Sequence, residues 1–160
     1  MRNILVIGAG RSAVTLIKYL LDNSQENNWL VTVADFSEEL AKKAVANNEN
    51  GKAIFFDATS KKQRAVEINN ADIVISMLPA SMHITVAKDC VRLKTNLVTA
   101  SYVSEEISLL DESAKQAGVL LLNEIGLDPG IDHMSAMQVI DNIKEKGGRL
   151  TSFKSFCGGL

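Results

Sequence analysis

Gly8-Ala9-Gly10-Arg11-Ser12-Ala13 reads G-x-G-x-x-A. The chemistry open to such a turn is the cradling of a diphosphate. Gly8 permits a tight strand-to-helix turn, Gly10 lets the backbone approach phosphate oxygens, and Ala13 keeps the helix close to the strand. Free backbone N–H groups and the positive end of the helix dipole then attract the anion. Alone the pattern is weak, because glycines at a strand exit often only turn the chain. Context strengthens it: the apolar run Ile4–Ile7 precedes it, a helical pattern follows, and Asp35 closes the next apolar run, about 20 residues further on as the dinucleotide fingerprint requires.

A carboxylate at that position accepts hydrogen bonds from a ribose 2′-OH and repels a 2′-phosphate. NAD is therefore the expected cofactor, with NADP disfavoured. Arg11 argues the other way, as a cation for a 2′-phosphate, but the position of Asp35 outweighs it. The expected cofactor contacts are Gly8, Ala9, Gly10, Arg11 and Ser12 in the turn, with Asp35, Phe36, Asp57, Ala58 and Leu78 at the ends of later apolar runs. Two readings stay open for Asp57: an acceptor for the adenine amino group, or a loop acid. Further polar residues follow the later runs: Ser101-Tyr102, Asn123-Glu124 with Asp128, and Cys157. On residue type alone these have plain structural readings. Tyr102 suits a core, Asp128 opens a Pro-Gly turn, and Cys157 fills space as a small apolar side chain.

The elements that must position these groups alternate along the chain. Apolar runs occur at Ile4–Ile7, Trp29–Ala34, Ala53–Phe56, Ile73–Leu78, Leu97–Ala100 and Val119–Leu122. Between them, apolar residues recur at helical spacing, as in Ala13, Leu16, Ile17, Leu20 and Leu21. Ser37 and Ser104 are expected helix N-caps, and Gly118 a helix stop. Asp132 is expected to cap a last helix, with His133 beside it, whose Met134 and Met137 pack against the body. His83 begins its helix facing the cofactor cleft, where it could be a contact, but a surface histidine is the expected reading. Near-continuous apolar strands separated by helices predict a Rossmann-type α/β fold, a doubly wound parallel sheet covered on both faces in three layers.

Composition narrows the class. The chain has 160 residues, 46% hydrophobic and 22% charged, which excludes a disordered tail. Lys and Arg total 17 against 19 Asp and Glu, a net charge of −2, so no global attraction to nucleic acid or to a membrane surface is expected. Cys90 and Cys157 are the only cysteines; their spacing matches no metal or disulfide framework, and no metal is expected. Met1 leads straight into Ile4–Ile7 without a signal-peptide pattern, so the expected location is cytoplasmic.

Three stretches carry a family likeness. They are Ala100-Ser101-Tyr102-Val103-Ser104, then Asn123-Glu124-Ile125-Gly126-Leu127-Asp128-Pro129-Gly130-Ile131-Asp132-His133, and then Ser155-Phe156-Cys157-Gly158-Gly159-Leu160. Together they resemble the saccharopine dehydrogenase family, most closely its glutamate-forming branch. The resemblance spans the chain, and the string from Gly126 to His133 is its most specific part. It implies oxidation at the C–N bond of saccharopine to give glutamate and α-aminoadipate semialdehyde in lysine metabolism. It also implies a small-molecule substrate, a homodimer, and a second domain for substrate binding and dimerisation. Residues 1–150 are thus expected to form the dinucleotide-binding domain, and 151–160 the start of a connection into a second domain absent from this chain. Taken alone, the 160 residues are expected to be inactive. By motif match, Tyr102, Asp128 and Cys157 are implied as catalytic, and Ser101, Tyr102 and Asp128 as substrate-binding. The pair Asp35-Phe36 and Arg11 depart from the fungal pattern in a way that favours NAD and a catabolic direction. A free-standing nucleotide sensor is the alternative; it would share the glycine turn but have no use for Tyr102, Asp128 and Cys157. A methyltransferase is set aside, because Val6 and Ile7 stand where its acid would precede the first glycine.

Overall fold

In the computed structural model, which describes residues 1–156, six strands form one parallel sheet with helices on both faces. The strands are β1 (Arg2–Ile7), β2 (Trp29–Asp35), β3 (Gly51–Phe55), β4 (Ile73–Ser76), β5 (Asn96–Thr99) and β6 (Leu121–Leu122), in the order β3-β2-β1-β4-β5-β6. A single 3-10 turn at Arg11–Ala13 leads into α1 (Val14–Asp22). The other helices are α2 (Ser24–Asn27), α3 (Glu38–Val45), α4 (Lys61–Asn69), α5 (Ala80–Leu93), α6 (Glu105–Ser108), α7 (Asp111–Ala117) and α8 (Ile131–Glu145).

The apolar run of β1 explains the three layers. Ile4 and Val6 pack with Ile17, Leu20 and Leu21 of α1 and with Ala41 and Val45 of α3. Leu5 and Ile7 face the other way, onto Ile68 of α4 and Val86, Ala87 and Cys90 of α5. Successive strand side chains point to opposite faces, so a strand with no polar member must be covered twice. Ser37 and Ser104 act as the expected caps, accepting from the Leu40 and Ile107 amides at 3.4 and 3.2 Å. Gly118 closes α7 in the left-handed conformation. Burial and the neighbouring Asp89 carboxylate push the Cys90 thiol up to about 12.

Several expectations at the periphery need correction. Asp132 does not cap α8: it sits in the first turn, where its Oδ1 accepts from the Gly130 amide and His133 Nδ1, each at 2.8 Å. That carboxylate also raises the His133 pKa above its usual value. No residue of α8 is buried, so Met134 and Met137 do not pack into this body. Residues 151–156 form no strand and are exposed. Cys157 lies outside the described residues.

A buried ion pair ties the two sequence halves together on the α4–α5 face. Arg64 Nε donates to Asp89 Oδ2 at 2.7 Å, and Arg64 Nη1 donates to the Ala58 carbonyl at 2.7 Å. Arg92 Nη2 donates to Asp89 Oδ1, also at 2.7 Å. Burial alone would raise the Asp89 pKa, but hydrogen bonds from Arg92 and Arg64 and their charges hold it below the usual carboxylate range. Because the folded value is depressed, this stabilisation is full above the pKa of an unfolded aspartate and is lost as pH falls through the folded value. Asp89→Ala strands Arg64 and is expected to cost about 3–5 kcal/mol in denaturant unfolding at neutral pH. The variant should also lose part of the acid-side slope of stability; a loss below about 1 kcal/mol would show that the pair is solvated.

Candidate functional site

The phosphate turn forms where β1 leaves the sheet between β2 and β4. The Gly8 amide donates to the Ala34 carbonyl at 2.8 Å, and the Met77 amide donates to the Ile7 carbonyl at 2.8 Å. Gly8 has φ +104°, and a Cβ there would lie 3.0 Å from the Met77 carbonyl oxygen. Both facts require glycine. Gly10 has no neighbour within 4 Å of where a Cβ would stand, which leaves the backbone open to a bound group. Ala13 is fully buried beneath the turn, while Arg11 and Ser12 are exposed.

Asp35 lies where the sequence reading put it, but its partners differ from those expected. Its Oδ2 accepts from the Ala9 amide at 2.7 Å and its Oδ1 from the Ser37 amide at 2.8 Å. Each oxygen therefore already clamps backbone, one in the phosphate turn and one at the start of α3.

A cavity of about 400 Å³ opens at the carboxyl ends of β1–β4. Its walls bring together six of the expected contacts: Gly8, Asp35, Phe36, Asp57, Ala58 and Leu78. Phe36 is exposed at the rim, its ring centroid 5.5 Å from that of Phe55. Asp57 Oδ1 accepts from the Thr59 hydroxyl and amide at 2.7 and 2.8 Å, which lowers its pKa. A larger cleft of about 740 Å³, between α1 and α3, includes Ala9, Gly10 and Arg11. The smaller cavity is the better nucleotide site because it lies outside the strand ends at the crevice where the strand order reverses. Together, Gly10, the turn amides and this cavity fit a dinucleotide.

Beyond β5 the second set assembles. Tyr102 is exposed, and its hydroxyl donates to Asp128 Oδ1 at 2.8 Å. The core reading of Tyr102 is therefore replaced by a surface one. The Glu124 amide donates to the Ser101 carbonyl at 3.0 Å, and Glu124 Oε1 accepts from the Val103 amide at 3.1 Å. These two bonds hold Glu124 at φ +63°, a left-handed conformation costly for a side-chain-bearing residue. The Asp128–Pro129 bond is cis, and Gly126 pairs with Gly130 across the loop that enters α8.

His83 was missed. It is 2% exposed, not a surface residue, and its ring lies among the hydroxyls of Ser76, Thr99 and Ser101. Burial pushes its pKa down. The signal was present in the helical spacing of His83, Val86, Ala87 and Cys90, which puts the histidine on the buried stripe of α5. Among the described residues no His, Cys, Asp and Glu cluster could hold a metal, and no helix is long and apolar enough to cross a membrane.

The strand order, glycine turn and cavity define a Rossmann-type dinucleotide-binding domain. Comparison with known proteins agrees. The family model described as "Saccharopine dehydrogenase NADP binding domain" matches residues 4–122, and "Saccharopine dehydrogenase C-terminal domain" matches 126–160. The chain belongs to the saccharopine dehydrogenase family. It is 38% identical to alpha-aminoadipic semialdehyde synthase of Arabidopsis thaliana, over 98% of this chain and 16% of that protein. It is 41% identical to saccharopine dehydrogenase [NADP(+), L-glutamate-forming] of Saccharomyces cerevisiae, over 99% of this chain and 35% of that one. The apo structure of the L-Glu-forming enzyme from Saccharomyces cerevisiae superposes with a TM-score of 0.84 at 36% identity, covering 95% of this chain and 33% of that one. The chain thus spans about a third or less of the length of these relatives.

These matches overturn the expected preference for NAD. The matching nucleotide-domain model is an NADP-binding one, and the yeast relative carries NADP(+) in its name, so NADP is favoured. The Asp35 clamp removes the premise of that preference: a carboxylate held by two backbone amides is explained without a ribose partner. Asp35→Ala is expected to lower the stability of the nucleotide-free protein by about 1.5–3 kcal/mol in denaturant unfolding. No change there would return Asp35 to the nucleotide. Gly8→Ala should destabilise the fold, whereas Gly10→Ala should fold normally and weaken nucleotide binding in calorimetry. Normal binding by Gly10→Ala would move the diphosphate away from this turn.

Proposed function

We propose that the protein of which this chain is part is an NADP-dependent, L-glutamate-forming saccharopine dehydrogenase. The observation that carries this reading is the Tyr102–Asp128 hydrogen bond at the carboxyl edge of the sheet that carries the phosphate turn. The names of the relatives support the substrate and the cofactor.

The turn amides and the open face at Gly10 would hold the diphosphate, and Arg11 is the cation available to the 2′-phosphate. The nicotinamide, when bound, supplies the hydride acceptor. The reacting carbon loses a hydride and the secondary amine its proton, giving an imine. Water adds to the carbon, and cleavage of the C–N bond then leaves the amine of glutamate and the aldehyde of the semialdehyde. Each step moves a proton at the nitrogen or at the added oxygen, and such transfers need groups that can hold one within hydrogen-bond reach. The Tyr102 hydroxyl and Asp128 carboxylate are already linked and exposed, so they are assigned to that proton, with Ser101 beside them at the substrate. Cys157 joins them by motif match alone. A second domain for substrate binding and dimerisation, following the nucleotide domain of residues 1–150 and a connection at 151–160, belongs to the same proposal.

Assay of the full-length protein should show saccharopine-dependent NADP reduction. Tyr102→Phe should lower kcat by about 10²–10⁴-fold, the range of a lost proton-transfer group, with little change in KM for NADP. Residues 1–160 alone should bind NADP without turnover. Turnover by that piece, or unchanged kcat in Tyr102→Phe, would contradict the assignment.

A further inference from the structure

We propose that His83 is a positioning residue: it ties the ends of β4 and β5 together and so holds the Ser101–Tyr102 segment in register with Glu124 and Asp128. His83 Nδ1 lies 2.9 Å from the Ser76 hydroxyl, and Nε2 lies 2.9 Å from the Ser101 hydroxyl and 3.0 Å from that of Thr99. Ser76 and Thr99 are the last residues of their strands, and each is 1% exposed. The imidazole therefore spans the sheet edge beneath the reacting end of the cleft.

Burying an imidazole is costly unless both ring nitrogens are satisfied. Here they are, by hydroxyls that can rotate to donate or accept, so either neutral tautomer fits. Among the described residues the ring is bonded by hydroxyls and by no carboxylate, and burial lowers its pKa, which favours the neutral form. A leucine would satisfy the apolar stripe of α5 without this desolvation cost, so the histidine answers a need other than packing.

The need is visible at Ser101. Its side chain meets His83, its carbonyl accepts from the Glu124 amide at 3.0 Å, and the next residue, Tyr102, donates to Asp128 at 2.8 Å. Moving Ser101 moves the whole set, and misplacement by about 1 Å costs about a hundredfold in rate.

The test uses the full-length protein with His83→Gln, His83→Asn and His83→Leu. A glutamine amide reaches the place of Nε2 and keeps the Ser101 contact; an asparagine amide matches Nδ1 and keeps only Ser76. Gln should hold kcat within about threefold, while Asn and Leu lower it about tenfold or more, with KM for NADP unchanged. Amide hydrogen exchange at residues 101–103 and 124 should accelerate in Asn and Leu but not in Gln. Equal losses in all three variants, a rise in KM for NADP alone, or a neutral Leu would overturn the proposal. Should Leu fail to fold, Ser101→Ala breaks the same contact from the exposed side and should raise exchange at Glu124. Unchanged exchange there would also overturn it. The kinetic arm rests on the saccharopine reading, but the exchange arm does not. A wild-type protein inactive on saccharopine therefore sinks that reading alone.

Discussion

Where β1 ends, the chain has no room for a side chain. Gly8 is pinned by its amide to β2 while the carbonyl just before it is pinned to the segment leaving β4. A parallel sheet whose first strand lies between its second and fourth splits its connections to opposite sides there, and a crevice follows from that geometry. The phosphate turn, the Asp35 clamp and the cavity along Phe36, Asp57 and Leu78 are all consequences of how the chain escapes that point.

The two ends of the cleft are held by different physics. On the nucleotide side, buried charge does the holding. Arg64 connects the Ala58 carbonyl to Asp89 of α5, so the wall beyond β3 is anchored to a helix across the fold. At the β5 end, hydroxyls and one imidazole do the same task, and the outer loop is tied by Glu124 and the Gly126–Gly130 bridge.

Much of this was readable from residue order. Ile4–Ile7 could only be a strand covered twice, and the G-x-G-x-x-A turn with an acid after the second strand located the cleft. Six expected contacts line one cavity. The failures share a cause: they concern what a polar or apolar group faces, which pattern does not encode. Asp35 was placed correctly, but a carboxylate accepts from amides as readily as from a sugar, and the choice rests on distances of 2.7 and 2.8 Å. Residue type alone puts His83 at the surface, whereas its helical spacing puts it inside. Methionine is apolar and so reads as packing, yet Met134 and Met137 are both exposed on α8.

The burial of Cys90 has a practical corollary. Only the thiolate attacks electrophiles, and a thiol raised to about 12 and fully enclosed offers almost none. Iodoacetamide or maleimide therefore spares Cys90 while the chain is folded, and modification at that position reports the opening of the α5 face of the core.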